Sequence, residues 1–267
     1  MIKVGRIPYV SSEPFYFDME RRGIVLHDCV PSEIASAAEK GEIDAGPVPL
    51  VDCFRLLGRF RFLSGFCIAS IAGSRSVNLY SKLPIQELGG ARIGCTGEAA
   101  TALELLKVLL FLKYQVEPEG FVALDDNHDA LLLIGDQGLR YRRGMRGYPH
   151  KYDLGTEWRQ WTGLPFVFAR WIVREDLDPQ DARSVEDALY SGLQDWADGL
   201  RRVSESRPNL GMHPHDILEY TQGIRYFMGV PEQRAIDLFQ QYLDQLNATE
   251  SPTPLSHDEI FLDGLGS

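Results

Sequence analysis

Hydrophobic positions come in short blocks separated by polar turns, and the spacing alternates between two kinds of element. The segment IKVGRIPYV (2–10) reads as a strand, SSEPFYFDMERRG (11–23) as a turn and helix with proline at an early helical position, and IVLHDCV (24–30) as a second strand. PSEIASAAEKGE (31–42) has the pattern of a short helix with a serine N-cap. IDAGPVPLV (43–51) begins as a strand and is expected to turn at its glycine and two prolines. Further strands are predicted at FLSGFCIAS (62–70), SRSVNLYSK (74–82) and GARIGCT (90–96), the last running into the amphipathic helix GEAATALELLKVLLFLKY (97–114). HDALLLIGDQGLRY (128–141) reads as a buried strand and a turn, DLGTEWRQWTG (153–163) as a helix and LPFVFARWIV (164–173) as a strand. From 183 to 248 the pattern is helical throughout.

Strands alternating with helices define an α/β protein with largely parallel sheets. The order adds an expectation of two lobes. A first α/β block (1–80) is followed by a second (86–169), after which the chain returns to helices without a full new sheet. This suits one lobe built from both ends of the chain, 1–85 plus 170–267, with 86–169 inserted as the other. The crossings fall near SVNLYSK and FVFARW, and a ligand would lie in the cleft between the lobes. A single doubly wound domain with a helical tail is the competing arrangement.

Composition narrows the partners. The formal net charge of −11 argues against nucleic acid and anionic membrane surfaces, both of which need a basic face. It leaves room for a small anion held in a buried pocket by backbone N–H groups and one or two arginines. No apolar run approaches membrane-spanning length, and MIKVGRIPYV lacks a basic segment leading into a long apolar one, so a cytoplasmic setting is expected. Cys29, Cys53, Cys67 and Cys95 form no CxxC pair, and the six histidines form no HxxxH or HExxH; neither a metal nor an organic cofactor is expected.

Several residues carry candidate chemistry. Ser11 and Ser12 end the first strand and begin the first helix, either as an ordinary helix cap or with their hydroxyls and the helix N–H groups facing an anion. CTGEAAT (95–101) joins a strand to the strongest helix, so Thr96, Gly97 and Thr101 are candidates for an anion cradle, with a plain helix start as the other reading. Pro47 and Val48 are expected in the cleft wall. Arg75 and Ser76 are neighbours on a strand, so at most one faces the cleft; Ser76 is the choice, with Arg75 as a carboxylate partner or a solvated arginine. Asp136 either orients water or a hydroxyl or caps the turn before QGLRY. Trp158 and Trp161, three apart on a helix, read as core.

RIPYVSSEPFY, PSEIASAAEKGEIDAGPVPLVD, SVNLYSKLPIQEL, LKVLL, DALLLIGDQGL and, most specifically, DLGTEWRQWTGLPFVFARW together resemble the MqnA/MqnD family of the futalosine route to menaquinone, collinearly over about 3–230. The resemblance implies a type II periplasmic-binding-protein fold used as a cytosolic enzyme. One branch of the family dehydrates chorismate to 3-[(1-carboxyvinyl)oxy]benzoate. The other makes dihydroxynaphthoate and places a catalytic histidine where this chain reads LIGD, here Gly135 followed by Asp136, with His128 seven residues upstream. LPFVFA is closer to the dehydratase branch, which implies a small anionic substrate, chorismate or a related carboxylate, and a substrate carboxylate as base. Within that resemblance Ser76 and Thr101 match kept hydroxyls, Ser11 stands where asparagine is usual, and Glu98 departs from a hydroxyl-rich stretch. Those departures keep two further readings in view: a relative acting on another cyclic or aromatic carboxylate, and a carboxylate-binding protein without catalysis.

Overall fold

The structure is a computed structural model that describes residues 1–17, 19–200 and 207–250. The chain opens with β1 (Lys3–Arg6), which pairs in parallel with β2 (Val25–Asp28) from Lys3↔Val25 to Arg6↔Asp28. Between them lies one helical turn, α1 (Glu13–Tyr16), with Pro14 at its start, where a missing N–H costs nothing. The strand is shorter than expected, because residues 7–12 coil into a turn held by Tyr9 N–H to Ile7 O (2.9 Å) and Ser12 N–H to Tyr9 O (2.9 Å).

Helix α2 (Pro31–Glu39) starts on proline and buries Ile34, Ala35, Ala37 and Ala38. Val30, not a serine, holds its N-cap position, and no side chain caps it. β3 (Ala45–Pro49) runs straight through the expected turn, with all five residues buried. It pairs with β1 only at Val4↔Ala45, ahead of both prolines, so on that side neither one interrupts a hydrogen-bonded ladder. Then follow α3 (Leu50–Leu56), β4 (Phe60–Ser70) and the crossing to β5 (Asn78–Ser81) and β6 (Arg92–Cys95). Helix α4 (Ala100–Val108) widens into a π-helical segment, Leu109–Tyr114, that ends at Gln115 with φ 55°. Next come β7 (Gly120–Ala123), β8 (Ala130–Leu133), α5 (Gly135–Arg140) and β9 (His150–Asp153). The chain continues through α6 (Leu154–Thr162), β10 (Phe166–Arg174), α7 (Pro179–Leu200), α8 (Pro214–Gln222), β11 (Ile224–Phe227) and α9 (Val230–Glu250).

Among the described residues the strands form two sheets, ordered β11-β4-β10-β3-β1-β2 and β7-β6-β8-β5-β9. Both are mixed, where largely parallel sheets were expected. β10 runs antiparallel to β3 and β4, and β5 antiparallel to β8 and β9, because the chain passes between the sheets and returns. Sheet membership changes between Ser70 and Asn78 and again between Asp153 and Phe166, ahead of the expected limits at 85/86 and 169/170. Asp153 ties the two crossings together. It accepts from the N–H groups of Ser74 and Thr156 (both 2.9 Å) and from that of Arg75. The helical stretch expected over 183–248 is interrupted by β11, which pairs with β4, and its residues 201–206 lie outside the described residues, as does the 251–267 end of the first lobe.

Two helices from the C-terminal part complete the core. α7 lays Val185, Ala188 and Leu189 against Phe15 of α1 and against Phe66 and Trp171 of the first sheet. α9 packs against α4 and β10 and brings Phe239 edge-on to Trp158 and Phe166. Trp158 is fully buried and donates its indole N–H to Pro165 O at 3.0 Å, which makes it core as its spacing suggested. Among the described residues no helix is long and apolar enough to cross a membrane.

Candidate functional site

Between the sheets lies a cleft of about 100 Å³. Its first wall is the turn after β1. Ser12 occupies the cap position of α1 but has helical angles (φ −103°, ψ −16°) and caps nothing. Its Oγ is buried without a partner on the cleft wall, and the residue is 1% exposed. The hydroxyl of Ser12 therefore caps no helix and lies unpartnered on the cleft wall. Ser11 also lines the cleft, as does Tyr220.

The crossing between the sheets forms the floor. Tyr220, on α8, donates to Ser76 Oγ at 3.0 Å, and Ser76 donates to Ser74 O at 3.2 Å. Ser70, at the end of β4, adds a second buried hydroxyl without a partner. Burial pushes the Tyr220 phenol up to about 12, so it stays protonated and available as a donor at neutral pH. The second sheet supplies the far wall through the turns that follow β6 and β8. There Thr101 is 4% exposed and its hydroxyl accepts from Val51 N–H at 3.4 Å across the cleft. Gly135 has φ 54°, and a Cβ built on it would lie 2.5 Å from the Tyr9 ring. Tyr9 reaches over from the first sheet and donates its phenol to Glu98. Burial, then this bond to Glu98, raises the Tyr9 phenol far above its usual range.

Ser11, Ser12, Ser76 and Thr101 therefore converge on one cleft. The remaining sequence candidates do not line it. Val48 is fully buried in a cluster with Ile34, Cys53 and Phe60, and Pro47 is buried opposite Trp171 in the strand pair; Pro49 is the β3 residue that forms wall. Arg75 adopts φ 58°, which turns its side chain outward to an ion pair with Glu219 at 2.8 Å, the exposed reading. Thr96 and Gly97 lie off the wall; after β6 the chain lines the cleft at Glu98 and again from Ala100. Asp136 is engaged elsewhere: its Oδ1 accepts from Val10 N–H at 3.2 Å and so ties α5 to the turn after β1. Burial raises its carboxyl above the ordinary value.

Tyr9, Ser70 and Tyr220 escaped the sequence reading. Tyr9 sits inside the conspicuous RIPYV segment, where a strand assignment hid it, whereas nothing in the helical pattern of α8 marks Tyr220. Among the described residues no group of three His, Cys, Asp or Glu is placed to hold a metal ion.

A two-sheet α/β chain with its cleft at the crossings has the periplasmic-binding-protein fold. The Candida albicans CA3427 gene product, described as exhibiting the generic form of that fold, superposes with a TM-score of 0.57 at 12% identity, covering 95% of this chain and 92% of that one. The chain belongs to the menaquinone-biosynthesis family, whose sequence profile matches residues 2–245. It is 28% identical to chorismate dehydratase of Thermus thermophilus over 260 residues, 90% of this chain and 94% of that protein. It is 24% identical to 1,4-dihydroxy-6-naphtoate synthase of the same organism over 192 residues, 64% of this chain and 66% of that protein.

Proposed function

We propose that this protein is a chorismate dehydratase, a carbon–oxygen lyase that forms 3-[(1-carboxyvinyl)oxy]benzoate on the futalosine route. The observation that carries the choice is the contact between Gly135 and Tyr9. A catalytic histidine at 135, as the dihydroxynaphthoate branch is read to have, would drive its Cβ to 2.5 Å from the Tyr9 ring. What the cleft offers instead is hydroxyls: Ser11, Ser12, Ser76 and Thr101. The near-complete coverage of the dehydratase relative points the same way.

The chemistry asks little more of the protein. A ring C–H proton passes to a base, the neighbouring ring hydroxide leaves and is protonated, and the net loss is one water from a ring that becomes aromatic. Aromatisation drives the reaction downhill, so the main tasks are to hold the two substrate carboxylates and to align the breaking bonds. Neutral hydroxyls suit the first task. The base in this reading is a carboxylate of the substrate itself, and no residue of the chain is assigned that role.

The lobe division, 1–85 plus 170–267 around 86–169, is part of the proposal, with substrate entering as the lobes part. A cytoplasmic setting belongs to it too, and all four cysteines are free thiols, as a reducing compartment maintains them. Incubation with chorismate tests the reaction. Loss of one water by mass, with the ultraviolet spectrum of a substituted benzoate, is expected; thermal stabilisation by chorismate without turnover would indicate binding alone.

A further inference from the structure

Glu98 is the one formally charged residue on the cleft wall among the described residues. The polar side chains around it belong to serines, threonine and tyrosines, each able to donate a hydrogen bond. An ionised carboxylate can only accept. The Tyr9 phenol fills one of its acceptor positions, and a carboxylate has about four. The pair is stiff on the Tyr9 side: the N–H groups of Ser12 (2.9 Å) and Glu13 (3.2 Å) hold the Tyr9 carbonyl, and the ring rests on Gly135 with no room for a Cβ. Burial keeps that phenol protonated and hence a permanent donor to Glu98.

We propose that Glu98, held in place by Tyr9, determines specificity by accepting a hydrogen bond from a hydroxyl on the substrate ring and by repelling a ligand that presents only carboxylates there. This rests on the dehydratase reading. Of the two molecules in that reaction, only the substrate carries a ring hydroxyl; the product has lost it and keeps both carboxylates. Glu98 thus favours substrate over product and lowers the affinity for product once the hydroxyl has gone. Tyr9 is a positioning residue that acts through Glu98.

The test compares the KM for chorismate with the inhibition constant of 3-[(1-carboxyvinyl)oxy]benzoate in the wild type, Glu98→Gln and Tyr9→Phe. Removing the charge should tighten product binding relative to substrate, lowering the ratio of inhibition constant to KM by about tenfold in Glu98→Gln. Tyr9→Phe keeps the ring on Gly135 and should move the ratio in the same direction by less, a KM-side effect that a merely structural tyrosine would not produce. An unchanged ratio in both folded variants overturns the proposal. If the wild type does not turn over chorismate, the dehydratase reading fails separately. Glu98 is then tested by calorimetry with 3-hydroxybenzoate against benzoate. A wild-type preference for the hydroxylated acid that disappears in Glu98→Gln supports its role, and the absence of any preference overturns it.

Discussion

Ser11, Ser76 and Tyr220 line one cleft, where the Tyr220 phenol donates to Ser76. Were Ser11 a helix cap, its removal would cost roughly 0.5–2 kcal/mol of stability and leave turnover per folded molecule alone. In the structure the cap position belongs to Ser12, which caps nothing. Ser11→Ala should therefore leave the melting temperature close to that of the wild type and lower kcat/KM on the order of 10²-fold. Ser11→Asn supplies the amide usual in the dehydratase branch and should retain or raise turnover. A variant that melts like the wild type and turns over like it in both cases would remove Ser11 from the site. The serines were legible in the sequence because strand-to-helix turns expose their hydroxyls and N–H groups together. Arg75 was harder to place, since its direction depends on a left-handed backbone angle that no periodicity announces.

Among the elements, α5 is the one the sequence reading missed most plainly. GDQGLR carries two glycines in six residues, a pattern that reads as a turn. The glycines are there for space: Gly135 receives the Tyr9 ring, and Gly138 lies so close to the crossing that a Cβ on it would stand 1.9 Å from Ser76 O. Gly138→Ala must move a backbone, not a flexible side-chain end. It should destabilise by about 3 kcal/mol, the upper part of the range for overpacking, and should depress turnover in the molecules that still fold because Ser76 shifts with its carbonyl. A thermal melt paired with an activity titration reads both effects, and a wild-type melting temperature would refute the close packing of α5 on the crossing. The long amphipathic helix at 97–114 was visible because its apolar period is sustained, although the widening at Leu109–Tyr114 was not. The four-residue strands β7, β9 and β11 are too short to show a period of their own, and β11 vanished into its helical surroundings.

At the level of the whole molecule, the two sheets face each other across a cleft, and the hydrogen bonds that join its two sides include Tyr9 to Glu98 and Val51 N–H to Thr101. A substrate that enters between the walls must interrupt this set and let it re-form. Small-angle scattering should show a smaller radius of gyration with saturating ligand than without, and an unchanged radius would count against a hinge at the crossings. The two-lobe organisation was legible because the second α/β block is followed by helices and no full new sheet. The crossings, expected near SVNLYSK and FVFARW, fall just ahead of β5 and β10. The claim beneath all of this is that the cleft dehydrates chorismate. The most direct measurement is to incubate the purified protein with chorismate and follow mass and ultraviolet absorption together. The account predicts a product lighter by one water with a benzoate spectrum, and unaltered chorismate after prolonged incubation with folded protein would contradict it.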